Sequence, residues 1–84
     1  MKLRPERYVI KEIKKRKDVV IRISRCDLMG QPYVEIRQCY RDRQGSYLPS
    51  QKGLTFVAEH LDEVIEGLVE LRKYFDKGEP ANKQ

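Results

Sequence analysis

Several residue types and patterns that mark common protein classes are missing from this sequence. Its 84 residues include no tryptophan, one histidine and two cysteines. So few cysteines do not make a disulfide framework, and together with one histidine they give no zinc-ligand spacing. No run of about 18 apolar residues occurs, so we expect no membrane-spanning helix. The charged N-terminus lacks an apolar h-region, which argues against a secretory signal. We therefore expect a cytoplasmic protein, nucleoid-associated if bacterial, or a nuclear one in a eukaryote.

Catalytic groups are also scarce. His60 lies in the first turn of a predicted acidic helix, which is the context of a surface residue rather than of a general base. No serine has a recognisable nucleophile context, and no glycine spacing matches a phosphate-binding loop. We therefore predict a protein that is not an enzyme and that uses no metal, no cofactor and no small-molecule substrate.

The charge that is present is distributed unevenly along the chain. Residues 1–53 hold 14 Lys and Arg against 6 Asp and Glu, a net charge of +8, whereas residues 54–84 carry a net charge of −3. A basic segment favours an anionic partner. The alternative is a solvated sheet whose edge lysines discourage aggregation. Charge alone does not separate the two interpretations.

The pattern of apolar residues predicts four strands and one helix. Strands are expected at Tyr8–Ile13, Val19–Cys26, Tyr33–Arg41 and Lys52–Phe56, with connections at 14–18, 27–32 and 42–50. From about Ala58 the period changes to 3.6, and an apolar stripe predicts a helix that stops at Gly78. Val57 is a poor N-cap, so the start is displaced or Thr55 helps to cap it.

The order ββββα contains no helical crossover, which predicts an α+β fold with an antiparallel sheet. We expect the helix to cover one face of that sheet, and part of its wide stripe to pair with a second subunit. A homodimer is expected because so small a chain has a modest core. Residues 1–76 are predicted to form a single domain, and residues 77–84 a flexible tail. Cys26 and Cys39 are expected as small buried hydrophobic residues.

The basic half also contains aromatic residues, and this combination favours single-stranded nucleic acid. Such proteins hold the phosphate backbone in a cationic groove and stack bases on aromatic rings. Tyr40 is the main stacking candidate, while Tyr33 and Tyr47 are as readily explained by packing within the sheet. Gly53 after Lys52 is expected to let a phosphate approach closely. The candidate binding residues are Arg22, Arg25, Arg37, Tyr40, Arg43 and Lys52.

Residues 33–56 resemble the core motif of the transcriptional coactivator called positive cofactor four and its bacterial relatives. The segment reads YVEIRQCYRDRQGSYLPSQKGLTF. The matching positions are Ile36-Arg37, Tyr40, Asp42, Gly45, Pro49 and Lys52-Gly53-Leu54. The resemblance covers about residues 19–75, and its specific part is confined to 34–56. The ordered set at matching spacing carries it, since no single element is diagnostic.

The resemblance implies a homodimer whose curved antiparallel sheets hold single-stranded DNA or melted duplex, with Arg37, Tyr40 and Lys52 as contacts. It also implies a role in transcription, recombination or repair with little sequence preference. Tyr40 stands where the coactivator has a larger indole ring, and Leu48 stands where a lysine is expected. The turn at 28–30 lacks the coactivator's aromatic residue and lysine, and no serine-rich acidic arm is present, which favours a stand-alone bacterial-type or phage-type relative.

Two alternatives remain open from the sequence. Single-stranded RNA is one, because stacking and phosphate contacts do not exclude it and no visible residue senses a 2′-hydroxyl group. A small dimeric protein-interaction module is the other, which would dock through the acidic helix or a sheet edge and would depend on Glu63, Glu66 or Glu70.

Overall fold

A computed structural model of the protein describes residues 6–76, and it confirms the predicted α+β fold. The four strands form one antiparallel sheet in the order β1-β2-β3-β4. Their bounds are β1 Glu6–Arg16, β2 Val19–Leu28, β3 Gln31–Arg41 and β4 Tyr47–Val57, and they are followed by a 3-10 turn at Ala58–His60 and helix α1 at Leu61–Asp76. The predicted tail at 77–84 lies outside the described residues, as do the first five residues of the predicted domain.

Both edge strands are longer than the sequence predicts. β1 continues through the lysines of the expected connection and ends at Arg16, and β4 begins at Tyr47 instead of Lys52. An edge strand can carry charged residues on both faces, because neither face needs to be covered. Pro49 is tolerated in β4 because an edge strand leaves some N–H positions without a ladder partner. The charged residues of β1 and Pro49 of β4 argued against a strand in the sequence. Pairing with the neighbouring strand nevertheless makes these residues part of the sheet.

The turn between β1 and β2 is held against the end of β3. Asp18 has a φ of 63°, which Asp adopts more readily than most residues. Its carbonyl oxygen accepts a hydrogen bond of 2.9 Å from the Arg41 N–H. Its carboxylate Oδ1 lies 2.8 Å from Arg41 Nη2. These contacts bring the β1–β2 turn and the β3–β4 loop together at one end of the sheet.

The strand register separates two faces of different chemistry, since residues opposite each other on neighbouring strands point the same way. The face that we call the polar face includes the polar residues Arg7, Glu12, Arg22, Ser24, Glu35 and Arg37 and, on the same side, the buried Val20, Cys26 and Cys39. The face that we call the apolar face includes Ile13, Ile21, Ile23, Val34, Ile36, Leu54 and Phe56. The predicted alternation along the two central strands is therefore confirmed.

Among residues 6–76, the buried side chains are few and belong to the two central strands. They are Val19, Val20, Ser24 and Cys26 in β2, with Gln38 and Cys39 in β3. Cys26 and Cys39 are both free thiols, and Cys39 is only 1% exposed. Their predicted role as small buried residues is confirmed.

The expectation that the helix covers a face of the sheet is wrong for the single chain. None of the side chains of α1 is buried, and Leu68 and Phe75 are 54% and 67% exposed. The weak cap is confirmed, because Val57 makes no side-chain capping bond and the α-helix starts only at Leu61, after the 3-10 turn. Within residues 6–76, no helix has the length and apolar character needed to span a membrane.

Candidate nucleic-acid interface

Two of the predicted binding residues lie side by side at the centre of the polar face. Arg22 of β2 is directly opposite Arg37 of β3. Like charges in this position repel each other unless counter-charges separate them. Both side chains are partly buried, each 21% exposed, so their guanidinium groups are shielded from bulk water.

Two carboxylates supply the counter-charge. Glu12 Oε2 lies 2.7 Å from Arg22 Nη2 and accepts a second hydrogen bond of 2.8 Å from Arg22 Nε. Glu35 bridges two guanidinium groups, with Oε2 at 2.9 Å from Arg37 Nε and Oε1 at 3.0 Å from Arg7 Nε. The polar face thus combines three guanidinium groups with two carboxylates. One positive charge of the cluster remains unbalanced, and some of its N–H donors remain available to an anion.

Arg37 is oriented by β4 as well as by Glu35. Its Nη1 donates a hydrogen bond of 2.9 Å to the Ser50 carbonyl oxygen. Gly53 lies directly opposite Arg37, and a Cβ atom on Gly53 would lie 2.7 Å from the Ile36 carbonyl oxygen and 3.0 Å from Arg37 Cβ. The group that approaches Gly53 closely in the structure is the backbone of β3, and the expected approach of a phosphate stays a prediction. Glycine is required there because β3 and β4 could not otherwise pair at this distance.

A bulge in β4 separates Gly53 from Pro49 and presents Lys52. The register shifts between Arg37 and Cys39 of β3, so that residues 50–52 face Gln38 alone. Ser50 bridges the bulge through its hydroxyl group, which donates to the Gln38 carbonyl oxygen at 2.7 Å and accepts from the Lys52 N–H at 3.1 Å. Lys52 is exposed beside this bridge. The serine hydroxyl replaces ladder hydrogen bonds that the bulge removes.

Tyr40 lies on the other face of the sheet from Arg37. It pairs with Val19 and Leu48, at positions of the same parity as the apolar face. Its ring is exposed, and its Oη accepts a hydrogen bond of 3.1 Å from Gln38 Nε2. The spacing of three residues already implies this separation, because side chains three apart along a strand point to opposite faces.

Arg25 and Arg43 are also apart from the arginine pair. Arg25 is on the same side of the sheet as the apolar face and lies 2.9 Å from Asp27 Oδ1 through its Nε. Arg43 is exposed in the loop at 42–46. Asp42 organises that loop, because its Oδ1 accepts hydrogen bonds of 2.9 Å from the N–H groups of Gln44 and Ser46. Asp42 and Gly45 of the sequence motif thus stabilise the turn of this loop, in which Gly45 adopts a φ of 88°.

The structure places Arg22 opposite Arg37 and Lys52 in the β4 bulge next to Gly53, and further residues hold this arrangement. Glu35, Glu12 and Ser50 hold the arginine pair and the bulge. Glu35 could have been found, because it alternates with Arg37 and therefore shares its face. The pairing of Glu12 with Arg22 and the role of Ser50 depend on strand register and on a bulge, which no local pattern specifies.

Comparison with known proteins finds a family and several solved structures that are similar to this chain. Residues 11–67 match the family described as Transcriptional Coactivator p15 (PC4). BPSL1147, a PC4 homolog from Burkholderia pseudomallei K96243, is 32% identical in its orthorhombic crystal form, with a TM-score of 0.73 over 77% of this chain and 88% of that chain. Its tetragonal form gives 31% identity and a TM-score of 0.74 over 80% and 98%. A search of curated proteins finds no match.

A phage protein shares the fold at lower identity. The bacteriophage T5 homolog of the eukaryotic transcription coactivator PC4, which is implicated in recombination-dependent DNA replication, is 15% identical. Its TM-score is 0.69 over 84% of this chain and 82% of that chain. The resemblance read from residues 33–56 is confirmed by the family match and by the Burkholderia structures. This chain belongs to the Transcriptional Coactivator p15 (PC4) family.

Proposed function

We propose that this protein is a non-catalytic, homodimeric protein that binds single-stranded DNA with little sequence preference. The observation that carries the proposal is the pair Arg22 and Arg37, opposite each other on the polar face. Arg37 uses Nε and Nη1 for Glu35 and Ser50, and Arg22 uses Nε and Nη2 for Glu12. Each guanidinium group is thereby fixed in orientation while part of its fork remains open to a phosphate oxygen.

Low sequence preference follows from the kind of groups available. Guanidinium and ammonium groups bind phosphates, which carry no sequence information directly. A tyrosine ring stacks on any base, because every base has a π-face, and each stack contributes about 1–3 kcal/mol. Lys52 at the β4 bulge and Tyr40 near the end of β3 supply these two kinds of contact. A flexible single strand can follow such a surface, whereas a stiff duplex cannot bend around the end of a small sheet.

The proposed path of the strand runs from one face of the sheet to the other. Arg22 and Arg37 would bind phosphates on the polar side, and Lys52 would bind a phosphate at the β4 bulge. Arg43, in the loop beyond β3, would bind the backbone as it crosses the end of the sheet. Tyr40 would then receive a base on the opposite side. Arg25 shares a side with Tyr40 but lies six residues from Val19 along β2 and is held by Asp27, so it stands away from this path.

The homodimer is supported by the apolar surface that a single chain leaves uncovered. Leu61, Ile65 and Leu68 of the helix stripe are exposed, and Ile13 and Leu54 of the apolar face are exposed as well. Exposed apolar area of this extent marks a protein-protein interface in soluble proteins. A second copy provides the same stripe, so the two can meet about a two-fold axis. In such a dimer, the second chain would bury the apolar side chains that the helix leaves exposed within one chain.

The relatives suggest the process that the binding serves. The family is named for a transcriptional coactivator, and the phage T5 homolog is implicated in recombination-dependent DNA replication. We propose the same range for this protein, namely transcription regulation or recombination and repair. Exposed single strands occur as intermediates in each of these processes.

The test is fluorescence anisotropy with labelled single-stranded DNA, duplex DNA and RNA of one mixed sequence, across a salt series. We expect the tightest binding to single-stranded DNA, with a slope of about 0.7 log units of affinity per log unit of salt for each phosphate contact. Equal or tighter binding of duplex would overturn the proposal. Tighter binding of RNA would replace DNA by RNA as the partner, and salt-insensitive binding would argue against phosphate contacts altogether.

A further inference from the structure

A cationic surface remains outside the site described so far. The β1–β2 hairpin carries four consecutive basic residues, Lys14, Lys15, Arg16 and Lys17, which we call the basic hairpin. All four are exposed, although the sequence pattern marked them only as a polar connection. Lysines on an edge strand commonly serve to prevent aggregation. The position of this group relative to Tyr40 indicates a more specific role.

The basic hairpin lies beside the proposed stacking residue. Arg16 pairs with Val19, and Val19 pairs with Tyr40, so the three occupy one row across neighbouring strands and share a face. Strands are spaced by about 4.8 Å, which separates the backbones of Arg16 and Tyr40 by about 10 Å. Val19 between them is buried. The cation and the aromatic ring therefore stand as neighbours on one surface.

A relay of hydrogen bonds connects the same two elements. Lys15 Nζ donates to Gln38 Oε1 at 2.6 Å, and Gln38 Nε2 donates to Tyr40 Oη at 3.1 Å. This orientation of the amide is the one that both contacts require, because an ammonium group can only donate. Gln38 is buried, so the relay is held in place. The position of the tyrosine hydroxyl is thus coupled to the basic hairpin.

The charge of the basic hairpin is not balanced by nearby carboxylates in the described part of the chain. Asp18, in the turn itself, is engaged with Arg41. Asp42, at the neighbouring loop, accepts two backbone hydrogen bonds with its Oδ1. Lys15 is bound to a neutral amide, which leaves its charge intact. This end of the sheet is therefore a concentrated positive surface around an exposed aromatic ring.

We propose that the basic hairpin binds the sugar-phosphate backbone of the single strand beyond the base that stacks on Tyr40. The inference rests on the proposed function and extends it to a second stretch of the same strand. Stacking on Tyr40 fixes one nucleotide, and the next phosphates then fall within reach of Arg16 and Lys17. The contact would lengthen the bound segment without adding sequence preference, because it involves phosphates alone.

The test compares short and long oligonucleotides with the double variant Arg16→Gln, Lys17→Gln. Oligonucleotides of about 6 and about 30 nucleotides lie near the lower end and beyond the upper end of the typical site sizes of about 4–16 nucleotides. We expect the variant to bind the short strand within about twofold of the unaltered protein. On the long strand the salt slope should fall by about 1.4, which corresponds to two phosphate contacts at about 0.7 each. The thermal unfolding midpoint should stay unchanged, since both side chains are exposed.

A matched control removes two charges elsewhere. The variant Lys11→Gln, Arg72→Gln changes two exposed cations, one in β1 and one in α1, that lie outside the hairpin. It should lower affinity for both lengths by the same small factor. An equal loss on short and long strands for the hairpin variant, or no loss on either, would overturn the inference while the proposed function stands. Failure of the unaltered protein to bind either strand would overturn both.

Discussion

Gly53 lies directly opposite Arg37 across β3 and β4, and it leaves the space that the two strands need in order to pair. A Cβ atom at this position would lie 2.7 Å from the Ile36 carbonyl oxygen and 2.9 Å from Arg37 Cα. Both neighbours are backbone atoms, which cannot rotate away. The structure thus explains both residues of the Lys-Gly pair in the sequence motif. The bulge in β4 exposes Lys52, and Gly53 allows β3 and β4 to pair.

Substitution Gly53→Ala should destabilise the fold by about 1–3 kcal/mol, the usual cost of forcing extra volume into a packed position. Urea unfolding followed by circular dichroism measures this. Gly67→Ala is the matched control, because a Cβ on Gly67 meets no atom within 4 Å. The control should stabilise the helix by up to about 1 kcal/mol, since alanine favours helices over glycine. Equal stability of the two variants would contradict the role given to Gly53.

Substitution Ser50→Ala should disturb the β4 bulge, because it removes the hydroxyl group that binds both Gln38 and Lys52. We expect a loss of about 1–2 kcal/mol in stability, and weaker binding of single-stranded DNA as Lys52 and the Ser50 carbonyl oxygen shift. Ser50→Thr keeps the hydroxyl and should restore most of both. In an Arg37→Ala background, the effect of Ser50→Ala on affinity should shrink, and full additivity would argue against a link between the two residues.

Substitution Arg37→Ala should weaken binding of single-stranded DNA about tenfold to a hundredfold, because a charge-assisted phosphate contact is worth about 1.5–3 kcal/mol. Arg25→Ala is the control, since it removes the same charge from the other side of the sheet. We expect the control to change affinity about twofold at most, through long-range electrostatics only. Anisotropy at a fixed salt concentration compares them. A greater effect at Arg25 would contradict the proposed path of the strand.

Substitution Glu35→Gln should tighten binding by about two- to fivefold, because it removes a negative charge next to Arg37 and Arg7. The Ser50 carbonyl oxygen still orients Arg37 in this variant. Glu59→Gln makes the same change in charge on the exposed 3-10 turn and serves as the control. Weaker binding by Glu35→Gln would mean that its charge is needed mainly to position the arginine.

Substitution Leu68→Asp should convert the proposed dimer into a monomer, because it places a charge in the middle of the apolar helix stripe. Leu68 is exposed in the single chain, so the change should not disrupt packing within that chain. Sedimentation velocity over a range of concentrations measures the mass. Glu63→Ser, at a polar position of the same helix, should leave the dimer intact. A monomeric unaltered protein, or a dimeric Leu68→Asp variant, would contradict the proposed assembly.

Local pattern predicted the elements better than it predicted their ends. The alternation of Ile21, Arg22 and Ile23 fixes both a strand and its two faces, since strand side chains point alternately up and down. The predicted strand ends were wrong in the two edge strands, which residues 14–16 and 47–51 extend. These residues are polar or contain proline, and their pairing depends on a neighbour that is distant in sequence. The prediction that the helix covers the sheet failed for a related reason, because an apolar stripe specifies burial without specifying the partner.

The candidate site, too, could be predicted from the sequence only in part. The motif in residues 33–56 was enough to select Arg37, Tyr40 and Lys52, and their assignment to binding stays a prediction. It did not reveal that Arg37 and Tyr40 lie on opposite faces, although their spacing of three along a strand implies this. Glu12 could not be linked to Arg22 from the sequence, because that contact depends on the bulges in the register of β1 and β2.

The sequence by itself determined the fold class, the buried cysteines and the family, because these depend on local periodicity and on an ordered motif. The tertiary structure determined which charged side chains lie next to each other. Arg22 faces Arg37, Glu35 bridges Arg37 to Arg7, and the basic hairpin stands beside Tyr40 only because strand register brings them together. Register is set by turns, bulges and Gly53 acting over the whole sheet, so the contacts it creates are not visible in any single stretch of the chain.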